Sequence, residues 1–280
     1  MLFVNYDIRS EIKVLRLSLE VSWLIRKTMS SSIFYSLESA LATLVQVQRY
    51  PEVQKLLNIC KETGILKEFN GRYLHVETSD KCKTESAPFI VIEGLDGTGK
   101  TTITDKIQQK YRMRAMQTPP AEISDFRDFF DGQSESVKRA YYSLGNYLAV
   151  NNVLKCAEPV IMVRFWHSTA AYALGYTTDE EKLKNVNLDW PHDLLQPNLV
   201  LLLFVSEEER VRRHATRLLR TNTPEEQSLA KNQIFRDRII DVYRRIKGPR
   251  FCEINADASM EEIENRIFEM LELNFPALRS

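Results

Sequence analysis

Gly94, four residues, then Gly99, Lys100 and Thr101 set the spacing G-x-x-x-x-G-K-[ST] within the stretch FIVIEGLDGTGKTT, residues 89–102. The apolar, β-prone run Phe89–Glu93 precedes it and helix-competent residues follow. That strand–loop–helix context is what the motif needs. The chemistry it points to is anion binding. Gly94, Gly97 and Gly99 allow positive φ and a close approach of backbone to ligand. The loop amides from Leu95, Asp96 and Thr98 then turn inward, and the N-terminus of the next helix adds partial positive charge. In such a loop Lys100 reaches the β- and γ-phosphates of a nucleoside triphosphate. Thr101 offers its hydroxyl to Mg2+, and Thr102 caps the helix or touches the α-phosphate.

The elements that must carry this loop follow from the pattern downstream. Apolar runs at Phe89–Glu93, Arg114–Gln117, Pro159–Val163, Leu199–Val205 and Arg250–Ile254 alternate with helical segments. The helices are expected over Thr101–Tyr111, Ser134–Lys155, Glu207–Leu219, Glu225–Ile246 and Met260–Leu273. Such alternation predicts an α/β fold, a five-stranded parallel sheet with helices on both faces. Ligands then bind beyond the carboxyl ends of the strands. Upstream, Ile33, Leu37, Leu41, Leu44 and Val45 fall near helical spacing, and Pro51 opens a second helix ending near Gly64. Phe69–Val76 suits a short β turn or ribbon. Residues 1–76 therefore read as a small helical N-terminal appendage, 77–87 (ETSDKCKTESA) as a polar linker, and 88–280 as the P-loop domain.

Bulk properties narrow the partners. The 280 residues hold 38 acidic and 38 basic side chains, so no global basic field argues for a nucleic-acid polymer or an anionic membrane. No apolar run approaches a membrane span. The four cysteines, Cys60, Cys82, Cys156 and Cys252, form no C-x-x-C pair, which indicates neither zinc nor a disulfide framework. A reducing cytosol or mitochondrial matrix fits them. The start of the chain carries Arg9, Lys13, Arg16, Arg26, Lys27 and Ser30–Ser32, but also Asp7, Glu11 and Glu20. A transit peptide and an ordinary amphipathic helix both remain open.

Several blocks together resemble a known family. FIVIEGLDGTGKTT with its internal Asp96, RAYYSLGNY (139–147), VIMVRFWHSTAAYA (160–173) and WPHDLLQPNLVLLL (190–203) are similar to thymidylate kinases, and most to their mitochondrial UMP-CMP kinase branch. The resemblance spans about residues 88–275. It implies transfer of phosphate from ATP, with Mg2+, to a pyrimidine nucleoside monophosphate. It also implies a homodimer and, slightly, a mitochondrial rather than cytoplasmic place.

The implied roles fall on numbered residues. Asp96 lies near the acceptor sugar and phosphate, the alternative being a turn residue that steadies the loop. Arg164, with Phe165 beside it, clamps the acceptor phosphate, which a planar fork suits. The family places Asp before that arginine; this chain has Val163. Either Asp96 and Thr101 suffice for a slower enzyme, or the chain is a nucleotide-binding pseudokinase with a regulatory role. Tyr142 stacks on the acceptor base or is a core tyrosine. Asn146, one turn on, takes the place of a family arginine and can both donate and accept, which favours uracil or cytosine over thymine. Arg213, Arg217 and Arg220 belong to a lid closing over the phosphates. Asn255 and Ala256 meet adenine through backbone or form a plain strand-end turn. After Pro119 and Pro120 the family arginine is missing, and Arg127 is its nearest substitute.

Overall fold

The computed structural model describes residues 33–69, 72–75, 87–177, 179–216, 229 and 232–279. The chain opens with α1 (Leu37–Val45), α2 (Pro51–Glu62) and an antiparallel ribbon of β1 (Leu66–Phe69) and β2 (Arg72–His75). There follow β3 (Phe89–Glu93), α3 (Lys100–Tyr111), β4 (Arg114–Gln117), the short α4 (Ala121–Ser124) and α5 (Arg127–Asp131), and the long α6 (Glu135–Lys155). Then come β5 (Val160–Val163), α7 (Trp166–Gly175), α8 (Glu180–Asn185), β6 (Leu199–Phe204), α9 (Glu207–Thr216), α10 (Gln233–Arg245), β7 (Phe251–Asn255) and α11 (Met260–Asn274).

The sheet order is β4-β5-β3-β6-β7, and every pairing is parallel. The strand that feeds the glycine loop is thus central, and all five of its residues are buried. Alternation along it assigns the two faces. Phe89 and Val91 join Val160, Met162, Val200 and Leu202 in one core, beneath α6, α7 and α10. Ile90 and Ile92 join Ile161, Leu199, Leu201 and Leu203 in the other, closed by Ile103 and Ile107 of α3 and Ile263, Ile267 and Leu271 of α11. The edge strand β4 is the least apolar, with Arg114 and Gln117 exposed, as an open edge favours.

Residues 33–66 share the first core rather than standing off from it. Ser36 caps α1 by accepting from the Ser39 N–H. Leu37, Leu41 and Leu44 face α6 at helical spacing, fully or almost fully buried. Asp193 ties the contact, accepting from the Leu37 N–H at 2.9 Å and from the Tyr147 hydroxyl at 2.6 Å. The expected linker lies almost wholly outside the described residues, as do the final residues of the helix expected over 207–219 and most of the start of the one expected over 225–246. The ribbon begins at Leu66 rather than Phe69. Helix α7 was not expected: nine of its residues are buried, so it has no polar face to set a period.

Candidate active site

The loop after β3 turns through positive φ at Gly94 (141°), Gly97 (88°) and Gly99 (91°). Gly94 is also fixed by space, since a Cβ there would lie 2.4 Å from the Leu203 carbonyl oxygen and 2.8 Å from Thr98 Oγ1. Lys100 folds back over the loop. Its Nζ donates to the carbonyls of Gly94 (3.0 Å) and Leu95 (2.7 Å) and stands 3.7 Å from Asp96 Oδ1. Thr98 is buried and donates to the Leu95 carbonyl, while Thr101 and Thr102 stand exposed at the first turn of α3. Arg213 of α9 reaches the same place. Its Nη2 donates to the Ala256 carbonyl at 2.6 Å, and its Nη1 would lie 3.7 Å from a Cβ on Gly99. Hydrogen bonds from Arg212 and Arg213 hold the Glu209 carboxyl down at about 2. The glycine loop, α9 and the turn after β7 therefore converge.

The second half of the site begins where β5 ends. Val163 pairs with Ile92, and the next residue, Arg164, takes a left-handed φ of 63°. For a residue with a side chain that conformation costs on the order of 1–3 kcal/mol, so its surroundings must enforce it. They do: the Arg164 N–H donates to the Ile92 carbonyl (2.9 Å), Nη2 to Asp96 Oδ1 (2.7 Å) and Nη1 to Ser168 Oγ (3.1 Å). The guanidinium also lies over the Tyr172 ring, 5.2 Å from its centre. Asp96 thus stands between the two cations, Lys100 and Arg164.

Behind them sits Glu93, fully buried. Oε1 accepts from the Phe165 and Ser168 N–H groups, and Oε2 from the Ser168 hydroxyl (2.6 Å) and the Tyr243 hydroxyl (3.3 Å). Burial pushes its carboxyl above the usual range, opposed by the Ser168 hydrogen bond and the Arg164 charge. Four donors use the acceptor capacity of a carboxylate. Glu93 therefore does not stand in for the aspartate expected at position 163.

The other expected residues are spread more widely. Tyr142 is half-buried and donates to Asp131 Oδ1 at 2.8 Å. Asn146 is buried; Nδ2 donates to Thr169 Oγ1 at 3.0 Å, and Oδ1 has no hydrogen-bond partner among the described residues. Phe165, expected beside the acceptor, turns its ring inward against Phe89 and Trp190 and is fully buried. Only its backbone belongs to the site, because the aromatic ring gains more by filling the core. Arg127 is largely exposed near Asp131. Asn255 is exposed and Ala256 buried, its N–H bonded to the Phe204 carbonyl. Arg217 and Arg220 lie outside the described residues. Sequence reasoning missed the contacts that Glu93 and Tyr243 make behind Arg164. An acid ending a buried strand is a signal that could have exposed the first. Tyr243 shows only the apolar spacing of α10.

Comparisons with known proteins address the family and the fold. Residues 92–267 match the thymidylate kinase family model. The human protein named "UMP-CMP kinase 2, mitochondrial" is 36% identical over 193 residues, covering 66% of this chain but 43% of that protein. A probable thymidylate kinase of Sulfurisphaera tokodaii is 24% identical over 192 residues, covering 65% of this chain and 95% of that one. The solved thymidylate kinase from Candida albicans superposes with a TM-score of 0.52 at 18% identity, over 68% of this chain and 93% of that one, and so shares the fold. With more than half of its length inside the family model, the chain belongs to the thymidylate kinase family.

Proposed function

We propose that the protein transfers the γ-phosphoryl group of ATP to a pyrimidine nucleoside monophosphate. The observation that carries this is the Lys100–Asp96–Arg164 row, two cations on either side of one carboxylate, of which we assign Lys100 to the donor and Arg164 to the acceptor. The reaction asks mainly for positioning and neutralised charge. Lys100 and the loop amides would hold the donor phosphates. Arg164 keeps N–H groups beyond those given to Asp96 and Ser168, and these would take the acceptor phosphate. Arg213, braced on Ala256, would sit at the adenine side. The relatives named as UMP-CMP and thymidylate kinases support the same reading.

Magnesium fits the residues present. Among the described residues no three His, Cys, Asp or Glu side chains converge on a cation. That suits an ion that keeps its waters and binds chiefly through substrate phosphates. Thr101, exposed at the start of α3, would supply the protein hydroxyl. When bound, the ion would offset phosphate charge.

Asn146 supports a cytosine acceptor. With Nδ2 given to Thr169, its Oδ1 is an acceptor that a 4-amino group would satisfy. The expected order is CMP and dCMP ahead of dTMP. One observation favours a second reading, a nucleotide-binding pseudokinase: Val163 stands at the end of β5, and saturated Glu93 does not replace the missing acid. Release of ADP on a panel of CMP, UMP, dCMP and dTMP, with wild type beside Val163→Asp, decides between them. ATP binding without release on any acceptor rejects the kinase reading, and a clear dTMP preference rejects the role given to Asn146. We further propose, on the mitochondrial relative, a mitochondrial rather than cytoplasmic place; imaging of the tagged chain checks it. No helix among the described residues is long and apolar enough to cross a membrane.

A further inference from the structure

We propose that Ser168 and Tyr243 are positioning residues that aim the Arg164 guanidinium at the acceptor phosphate, with Glu93 as their fixed base; this rests on the kinase reading above. Arg164 is held at two nitrogens. The bond from Nη2 to Asp96 supplies the charge pair, but Asp96 is shared with Lys100 and leaves the planar fork free to turn about that contact. The bond from Nη1 to Ser168 Oγ removes this freedom.

Ser168 can accept from Arg164 only because its own proton is committed elsewhere. A hydroxyl has one donor. Glu93 Oε2 takes it at 2.6 Å, so the lone pairs of Ser168 face Arg164 and the Tyr243 hydroxyl, whose single proton is shared between Ser168 at 2.9 Å and Glu93 at 3.3 Å. Glu93 is itself immobilised by the Phe165 and Ser168 N–H groups. Glu93 and Tyr243 are fully buried and Ser168 is 8% exposed. Trp190, Tyr243 and Phe251 surround the neighbouring His167, so the chain of bonds runs through a dry layer where such bonds are strong. Tyr243 belongs to α10, a different element from the one bearing Arg164, and it couples that helix to the acceptor side of the site.

Calorimetric titration of the full chain with CMP, and separately with ATP, both with Mg2+, tests this. Ser168→Ala should weaken CMP binding about tenfold, the size of one hydrogen bond to a charged group. Tyr243→Phe should weaken it about threefold, as an indirect effect of one neutral bond. ATP affinity should stay within about twofold for both, since the donor half makes none of these bonds. Ser168→Thr, which keeps a hydroxyl, should recover most of the loss. The deciding arm is the double variant: in an Arg164→Ala background, Ser168→Ala should cost nothing more. A full tenfold loss with Arg164 already absent overturns the proposal, as does equal loss for ATP and CMP, or no loss. If Ser168→Ala does not fold, Tyr243→Phe carries the same cycle. A wild type that binds CMP but releases no ADP sinks the kinase reading and leaves the affinity cycle to judge Ser168. A wild type that binds no pyrimidine monophosphate overturns both.

Discussion

The two halves of the site are made of different material. The proposed donor half is backbone: three glycines at positive φ, the carbonyls of Gly94 and Leu95 gripping Lys100, and exposed hydroxyls at the start of α3. The proposed acceptor half is side chains drawn from separate elements: Asp96 from the loop, Arg164 after β5, and Ser168 on α7 and Tyr243 on α10, which lean on Glu93. A backbone cradle depends on its glycines and on the one cation that it grips. A side-chain cradle depends on the packing of every element that contributes a member.

The largest effect should come from Lys100→Met. Loss of the ammonium that meets the transferred charge should lower kcat/KM on the order of 10^3-fold, while CMP binding by calorimetry stays near wild type. Arg164→Ala should come next, lowering kcat/KM for the acceptor on the order of 10^2-fold with little change in KM for ATP. If both substitutions damage both substrates equally, the division into halves is wrong. Gly94→Ala probes the backbone half alone. Its Cβ must clear the Leu203 carbonyl oxygen, 2.4 Å away on β6, so loop or strand has to shift. A loss of about 1–3 kcal/mol in denaturant unfolding is expected, together with weaker ATP binding. An unchanged melting temperature and ATP affinity would remove the claim that this glycine is required by contact.

The same contrast explains what could be read in advance. The donor half sits in consecutive residues, and its conformational demands are met by residue types that serve few other purposes. The sheet was legible too, because a central parallel strand such as Phe89–Glu93 is apolar throughout. Arg164 was identified only through resemblance. Its partner Ser168 and the Tyr243 behind it are 75 residues apart and meet only when α7 packs on α10. Helix α7 itself carried no period, being buried on all sides. Phe165 illustrates the opposite error: adjacency to Arg164 suggested a contact with the acceptor, yet its ring turned to the core, where an aromatic side chain gains most. Proximity in sequence does not fix the direction in which neighbouring side chains point.

The smallest effect sharpens the comparison through pH. His167 lies under the acceptor half, fully buried, with no hydrogen-bond partner for either ring nitrogen among the described residues, and burial lowers its pKa from 6.5 to about 3. Above pH 6.5 the imidazole is neutral whether the chain is folded or not. As pH falls from 6.5 toward 3, the unfolded chain gains a proton that the folded one refuses. Stability then drops by at most about 1.4 kcal/mol per pH unit from this group. On the donor side, Glu209 is held down at about 2, so its contribution is lost only below its ordinary value of 4.5. Between pH 6.5 and 4.5 the acceptor half responds alone of the two. Burial also raises the Glu93 carboxyl, which acts in the opposite direction as pH falls. Comparison with His167→Phe cancels that opposing trend, since Glu93 is present in both proteins. Denaturant midpoints measured from pH 7.5 to 4.5 should fall more steeply for wild type than for the variant. Parallel slopes would mean that the imidazole finds a proton and a partner inside the fold.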